Sequence, residues 1–140
     1  MKIGMTGTRS GATPTQVDAI YKFLNKCVTF CRERDESLEL HHGDCVGADA
    51  DVAELATSLG IRIICHPPSK EDLRAFVNSD EMRKPFSYFE RNRNIVDETE
   101  LLLVVPYQMT RKPLGGTWYT HDYAARMNKH IKIFWPQENK

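Results

Sequence analysis

A chain of 140 residues, 41% of them hydrophobic, fits one globular domain and buries roughly two-thirds of its unfolded surface without disulfide staples. Lys and Arg total 19 and Asp and Glu also total 19, so the net charge is zero. That balance argues against a strong nucleic-acid binder while leaving room for a local basic patch. No apolar run approaches the ~20 residues of a membrane-spanning helix, and the N-terminal segment lacks signal-peptide architecture, so a cytoplasmic protein with no membrane partner is expected.

The elements alternate. Lys2 to Thr6 reads as a short strand, followed by the turn-rich stretch Gly7-Thr8-Arg9-Ser10-Gly11. Thr13-Pro14-x-Gln16 is a capping box with proline at the first helical position. Behind it Val17, Ile20, Tyr21, Leu24, Cys27, Val28 and Cys31 recur at helical spacing and predict one core-facing stripe. Leu38 to His42 is the second strand, ended by Gly43, and Ala48 to Leu59 a helix stopped by Gly60. Ile61 to Cys65 is the third strand, closed by Pro67-Pro68. Residues 69 to 86 are polar and poorly periodic, a long loop with a short helical turn, as binding loops and lids often are. Ser87-x-x-Glu90 is a second capping box opening a helix to about Asp97. Leu101 to Val105, unbroken and apolar, suits a strand covered on both faces. Thr117 is placed to cap a fourth helix, and Ile131 to Trp135 is the last strand.

This order predicts one domain over 1–140: a three-layer α/β Rossmann-like fold with a five-stranded parallel sheet, order 3-2-1-4-5, and helices on both faces. Ligands of such sheets bind beyond the strand carboxyl ends at the switch point, here between the first and fourth strands. Gly7 and Gly11 follow the first strand, Gly43 and Gly47 the second, and Gly115 and Gly116 the fourth. Three glycine loops therefore meet at one pole, each running into a helix start that favours an anion. Thr8, Arg9 and Ser10 supply phosphate donors there, and Thr117 lies in the third loop. Neither the dinucleotide G-x-G-x-x-G nor a P-loop G-K-[ST] is present.

Asp44 and Asp49 beside the second loop suit ribose hydroxyls, a base or acid–base work; helix-start capping is the alternative for Asp49 and Asp51. Arg91 and Arg93, two apart near a helix start, cannot share one face, so one is available to an anion and Asn92 to the neighbouring loops. His41 and His42 are adjacent and point to opposite faces of a strand. The cysteines, at 27, 31, 45 and 65, read as buried free thiols of a reducing compartment. With no C-x₂-C or His pair at ligand spacing, no metal and no cofactor is expected.

Taken together, Gly7-Thr8-Arg9, His42-Gly43-Asp44-x-x-Gly47-Ala48-Asp49, Arg91-Asn92-Arg93-Asn94-Ile95-Val96-Asp97 and Gly116-Thr117-Trp118 with Tyr123-Ala124 resemble the SLOG superfamily of Rossmann-like nucleotide-binding proteins. That superfamily includes the LOG phosphoribohydrolases and the DprA recombination mediators, and the pattern is most similar to its small DUF2493-type members. The resemblance implies a nucleotide or nucleotide-derived phosphoribosyl ligand held by Gly7, Thr8, Arg9, Ser10, Gly43, Asp44, Gly47, Asp49, Arg91, Asn92, Gly115, Gly116 and Thr117. It implies a sensor or sequestering protein, or N-glycosidic hydrolysis with Arg91, Asp49 and Asp44 as catalytic residues. Single-stranded DNA binding of the DprA kind is a further alternative that the neutral charge disfavours. The LOG motif carries a glutamate three beyond its G-T, where this chain has Thr120. A homodimer or higher homo-oligomer is the family expectation.

Overall fold

A computed structural model describes residues 1–111 and 115–137. In chain order the elements are β1 (Lys2–Gly7), α1 (Pro14–Glu33), β2 (Glu39–His42), α2 (Ala48–Ser58), β3 (Arg62–Cys65), β4 (Glu81–Met82), α3 (Tyr88–Glu98), β5 (Leu101–Val105), α4 (Gly116–Arg126) and β6 (His130–Ile133). The sheet is parallel throughout, in the order β4-β3-β2-β1-β5-β6. Five of these strands take the predicted order. The sixth corrects the count: Glu81–Met82, inside the supposed loop 69–86, adds an edge strand to β3. Two residues carry no periodicity, so this strand is fixed by its ties rather than its pattern. Asp80 N–H donates to Ile63 O at 2.9 Å, and Ile63 N–H donates to the Asp80 carboxylate at 2.7 Å.

The chain winds out from β1 to β4, then crosses back to β5 and β6. Helices α1 and α2 cover one face with the main core, in which Ile3, Met5, Ile20, Leu24, Leu40, Val52 and Ile63 are buried. Helices α3 and α4 cover the other over a smaller cluster of Val96, Leu102, Val104 and Ala124. The α1 stripe is as predicted at Ile20, Leu24, Cys27 and Cys31, but Tyr21 is 43% exposed. At Gly4 on the α3 face, a Cβ would stand 2.8 Å from Ile95 Cγ2 and 2.9 Å from Thr99 Oγ1, so a glycine lets α3 press on β1.

The helix starts differ from one another. The α1 capping box is complete: Thr13 Oγ1 accepts from Gln16 N–H, and the Gln16 side chain accepts from Thr13 N–H. Ser87 precedes α3 but makes no side-chain cap bond. The expected Thr117 cap is replaced by Gly115 at φ 140°, a conformation open to glycine, and the helix begins directly after it. No described helix is long and apolar enough to cross a membrane.

Candidate functional site

A cleft of about 590 Å³ opens at the carboxyl ends of β1 and β5, the switch point of the sheet. Its floor is Met5, Thr6 and Gly7. One wall is the loop Thr8–Ser10, another the start of α3 with Tyr88, Phe89, Arg91 and Asn92, and a third the start of α4 with Gly115, Gly116, Thr117 and Trp118. Cys45 and Asp49 close the side nearest α2. Of the sequence-derived set, Gly7, Thr8, Arg9, Ser10, Asp49, Arg91, Asn92, Gly115, Gly116 and Thr117 are gathered here, and Gly43, Asp44 and Gly47 are not.

Those three serve the frame instead. A Cβ on Gly43 would lie 2.7 Å from Arg91 Nη1, so the missing side chain is the space the guanidinium fills. Gly47 has φ 95°, and a Cβ there would meet Arg9 O at 2.4 Å, which lets the start of α2 abut the first loop. Ala48 N–H donates to Thr8 O at 2.9 Å across that contact. Asp44 is wholly buried; its carboxylate accepts from Arg74 Nε at 2.7 Å and from Val77 N–H at 2.8 Å. Its charge thus anchors the 69–86 segment and does not face the cleft.

Arg91, 4% exposed, is spent largely on the protein. Its Nε donates to Asn92 Oδ1 at 2.7 Å, its Nη1 to Gly43 O and His66 O, and its Nη2 to Cys45 Sγ at 3.6 Å. A guanidinium has five N–H groups, so one on Nη2 remains for a ligand. Arg9 is exposed beside the Tyr88 ring, 5.8 Å from its centroid, and no ion pair engages it among the described residues. Arg93 donates to Tyr119 Oη at 2.6 Å.

Asp49 does not cap its own helix. Its Oδ2 accepts from Gly43 N–H at 3.0 Å and Cys45 N–H at 3.2 Å, holding the second loop against α2. Burial raises its pKa from 3.8 to about 6, against the pull of Arg91 and the two amides. Asp51 likewise ties a loop, accepting from Ala12 N–H at 2.9 Å. Thr120 gives its hydroxyl to Gly116 O at 2.7 Å, and Asp122 is paired with Arg111 outside the cleft.

Sequence reasoning passed over Tyr88, Phe89, Tyr107 and Cys45. Phe89 and Tyr107 are 53% and 61% exposed, an unusual state for aromatic rings and here a rim on the cleft. Their signal was available in the position of Tyr88-Phe89 at a helix start facing the switch point. Cys45 is the thiol that departs from the buried reading, half-buried on the cleft wall with its pKa raised by burial. The other three cysteines are buried free thiols.

Among the described residues, two clusters carry metal-type donors: His41, His66 and Glu98, and His42, Asp44 and Cys65. The second is internally satisfied. His42 Nδ1 accepts from Asp44 N–H, its Nε2 faces Ser79 Oγ at 3.1 Å, and Asp44 is committed to Arg74.

No protein-family profile and no curated protein matches the sequence. Among solved structures, the chain is similar to the molybdenum cofactor binding protein of the phototrophic bacterium Rippkaea orientalis, at 18% identity and a TM-score of 0.67, over 94% of this chain and 74% of that one. It is also similar to DNA processing protein A (DprA) of Streptococcus pneumoniae, at 16% identity and TM-score 0.68, over 94% of this chain and 49% of that one. The chain shares with these structures a three-layer α/β, Rossmann-like fold. This chain spans about half the length of the pneumococcal protein. The molybdenum cofactor carrier protein of Chlamydomonas reinhardtii matches at 16% identity and TM-score 0.63, over 94% of this chain and 74% of that one. Two of these three neighbours are named for the molybdenum cofactor and one for DNA processing, while all share one three-layer scaffold.

Proposed function

We propose that the chain is a small SLOG-superfamily protein whose cleft binds a nucleotide or nucleotide-derived phosphoribosyl ligand, as a sensor or sequestering protein. The observation that carries this reading is a single cleft combining an α4 start with no side-chain cap, the exposed cation of Arg9 beside Tyr88, in no ion pair among the described residues, and the rings of Tyr88, Phe89, Tyr107 and Trp118. Unpaired amides at a helix start and a guanidinium suit a phosphate. Aromatic walls suit a flat heterocycle. The fold neighbours named for the molybdenum cofactor are in keeping with a small-molecule ligand.

The chemistry favours binding over turnover. Asp44 is committed to Arg74, Arg91 to carbonyl oxygens, and Thr120 stands where the LOG enzymes have glutamate. One observation supports N-glycosidic hydrolysis as a second reading: Asp49 lies on the cleft wall with a pKa raised to about 6, close enough to neutrality for it to serve as a general base.

Calorimetric titration with nucleoside monophosphates, ADP-ribose-like and cyclic nucleotides tests both readings. One ligand class binds at a single site, Arg9→Gln weakens it about tenfold, and no free base accumulates. Base release that disappears in Asp49→Asn transfers the assignment to hydrolysis. Silence across the whole panel removes both.

A further inference from the structure

Outside the cleft, the pleat of the sheet gathers a second constellation on its α3 face. Glu39 and His41, two apart on β2, share that face, and β2 pairs with β3 so that His41 stands beside Ile64. Two residues beyond Ile64 the same face is taken by His66, and the last residue of α3, Glu98, lies over both histidines. His41 Nδ1 and His66 Nε2 are 2.8 Å apart, His66 Nε2 and Glu98 Oε2 are 3.5 Å apart, and the donor atoms all lie within 4.8 Å of one another. None of the four side chains lines the cleft.

The surroundings orient these donors as metal ligands are oriented. His41 Nε2 is 2.9 Å from Glu39 Oε1, and since a carboxylate only accepts, the ring gives its proton there and keeps the Nδ1 lone pair for the cluster. That is the carboxylate–histidine arrangement that fixes tautomer and ring direction in metal sites. Arg83 grips Glu98 mainly through Oε1, with Nε at 3.1 Å and Nη2 at 3.0 Å, and its Nε reaches Oε2 only at 3.3 Å, so Oε2 is the less engaged oxygen and the one beside the histidines. His41 and His66 are buried, whereas the Glu39 and Glu98 side chains are 20% and 36% exposed, so the cluster opens to solvent on its carboxylate side.

We propose that His41 Nδ1, His66 Nε2 and Glu98 Oε2 bind one divalent transition-metal ion of the zinc class, supported from outside by Glu39 and Arg83. Two imidazoles and one carboxylate are a borderline-hard donor set that suits zinc and its neighbours over calcium or magnesium. When the ion binds, His66 changes tautomer, its proton passing from Nε2 to Nδ1 by way of solvent, so both rings stay neutral and each offers one lone pair to the ion. To hold an ion at about 2.0–2.1 Å from each nitrogen in tetrahedral geometry, the rings part by roughly half an ångström. The fourth position faces the partly exposed carboxylates and takes water.

Equilibrium dialysis of chelator-treated protein against zinc, and titration with cobalt(II) as a spectroscopic probe, test the site directly. One equivalent of zinc binds, the thermal midpoint rises with zinc concentration, and cobalt(II) develops the visible bands of a four-coordinate ion. Glu98→Gln, at a partly exposed position, lowers zinc affinity at least tenfold with unchanged circular dichroism, and Glu39→Gln lowers it about tenfold through the outer support. His130→Gln, at an exposed strand end, changes neither. The site is refuted if no stoichiometric zinc is taken up, or if Glu98→Gln and wild type bind equally, since the ion then sits elsewhere.

Discussion

Arg91 carries its charge into a wall of backbone carbonyls, and Gly43 exists to admit it, so the residue most easily read as a phosphate grip is first a structural tie. Asp49 shares that environment with the opposite sign. Its folded pKa of about 6 stands above the ordinary 3.8, with burial the main cause. The native state therefore holds the proton more tightly than the unfolded chain between those values. The contribution is fully present below pH 3.8 and is lost as pH rises through about 6. Its upper bound is about 3 kcal/mol, at about 1.4 kcal/mol per pH unit. Asp49→Asn keeps an oxygen for Gly43 N–H and Cys45 N–H but cannot ionise. Urea denaturation between pH 4 and 7 should show wild-type stability falling toward neutrality relative to the variant, by up to that amount. Parallel curves would mean that the amides and Arg91 keep the carboxylate ionised throughout.

At the scale of elements, α1 shows what a sequence pattern conveys and what it omits. Thr13-x-x-Gln16 announced the capping box, and the box is there. The same Gln16 side chain also donates at 2.8 Å to Pro106 O and at 2.8 Å to Phe134 O, joining α1 to the ends of β5 and β6. No local pattern could announce those bonds, because they join residues about a hundred positions apart. Gln16→Leu should therefore cost about 2–4 kcal/mol, more than loss of a cap alone, because two buried carbonyls lose their donor. A lower urea midpoint at unchanged slope measures it. The same division runs through the chain. Periodicity and glycine placement exposed five strands, four helices and the pole at which the cleft opens. The sixth strand, the inward turn of Asp44 and the pairing of His41 with His66 arise from ties across the sheet, which spacing along the chain does not encode. The adjacency of His41 and His42 rightly separated them onto two faces, but the partner of His41 lay on the next strand.

The whole molecule is unevenly supported, and the cleft lies on the thinner side. Helices α1 and α2 sit on a broad apolar layer running from Ile3 and Met5 through Leu24, Val52 and Ile63, whereas α3 and α4 close over Val96, Leu102, Val104 and Ala124. Burial of each large aliphatic side chain is worth about 1.5–3 kcal/mol, so the two faces differ by enough to separate local opening from global unfolding. Native-state hydrogen exchange should find α4 amides exchanging through a partial opening well below the global free energy, while α1 and β1 amides exchange only on complete unfolding. Since the starts of α3 and α4 are two walls of the cleft, a ligand bound there stabilises that layer selectively. A saturating nucleotide at a hundred times its dissociation constant would raise α4 protection by about 2.7 kcal/mol where opening abolishes binding. Equal protection of α1 and α4 in the free protein would show that the thin layer is not an independent unit. A nucleotide that protected α1 while leaving α4 unchanged would place its binding site away from the switch point.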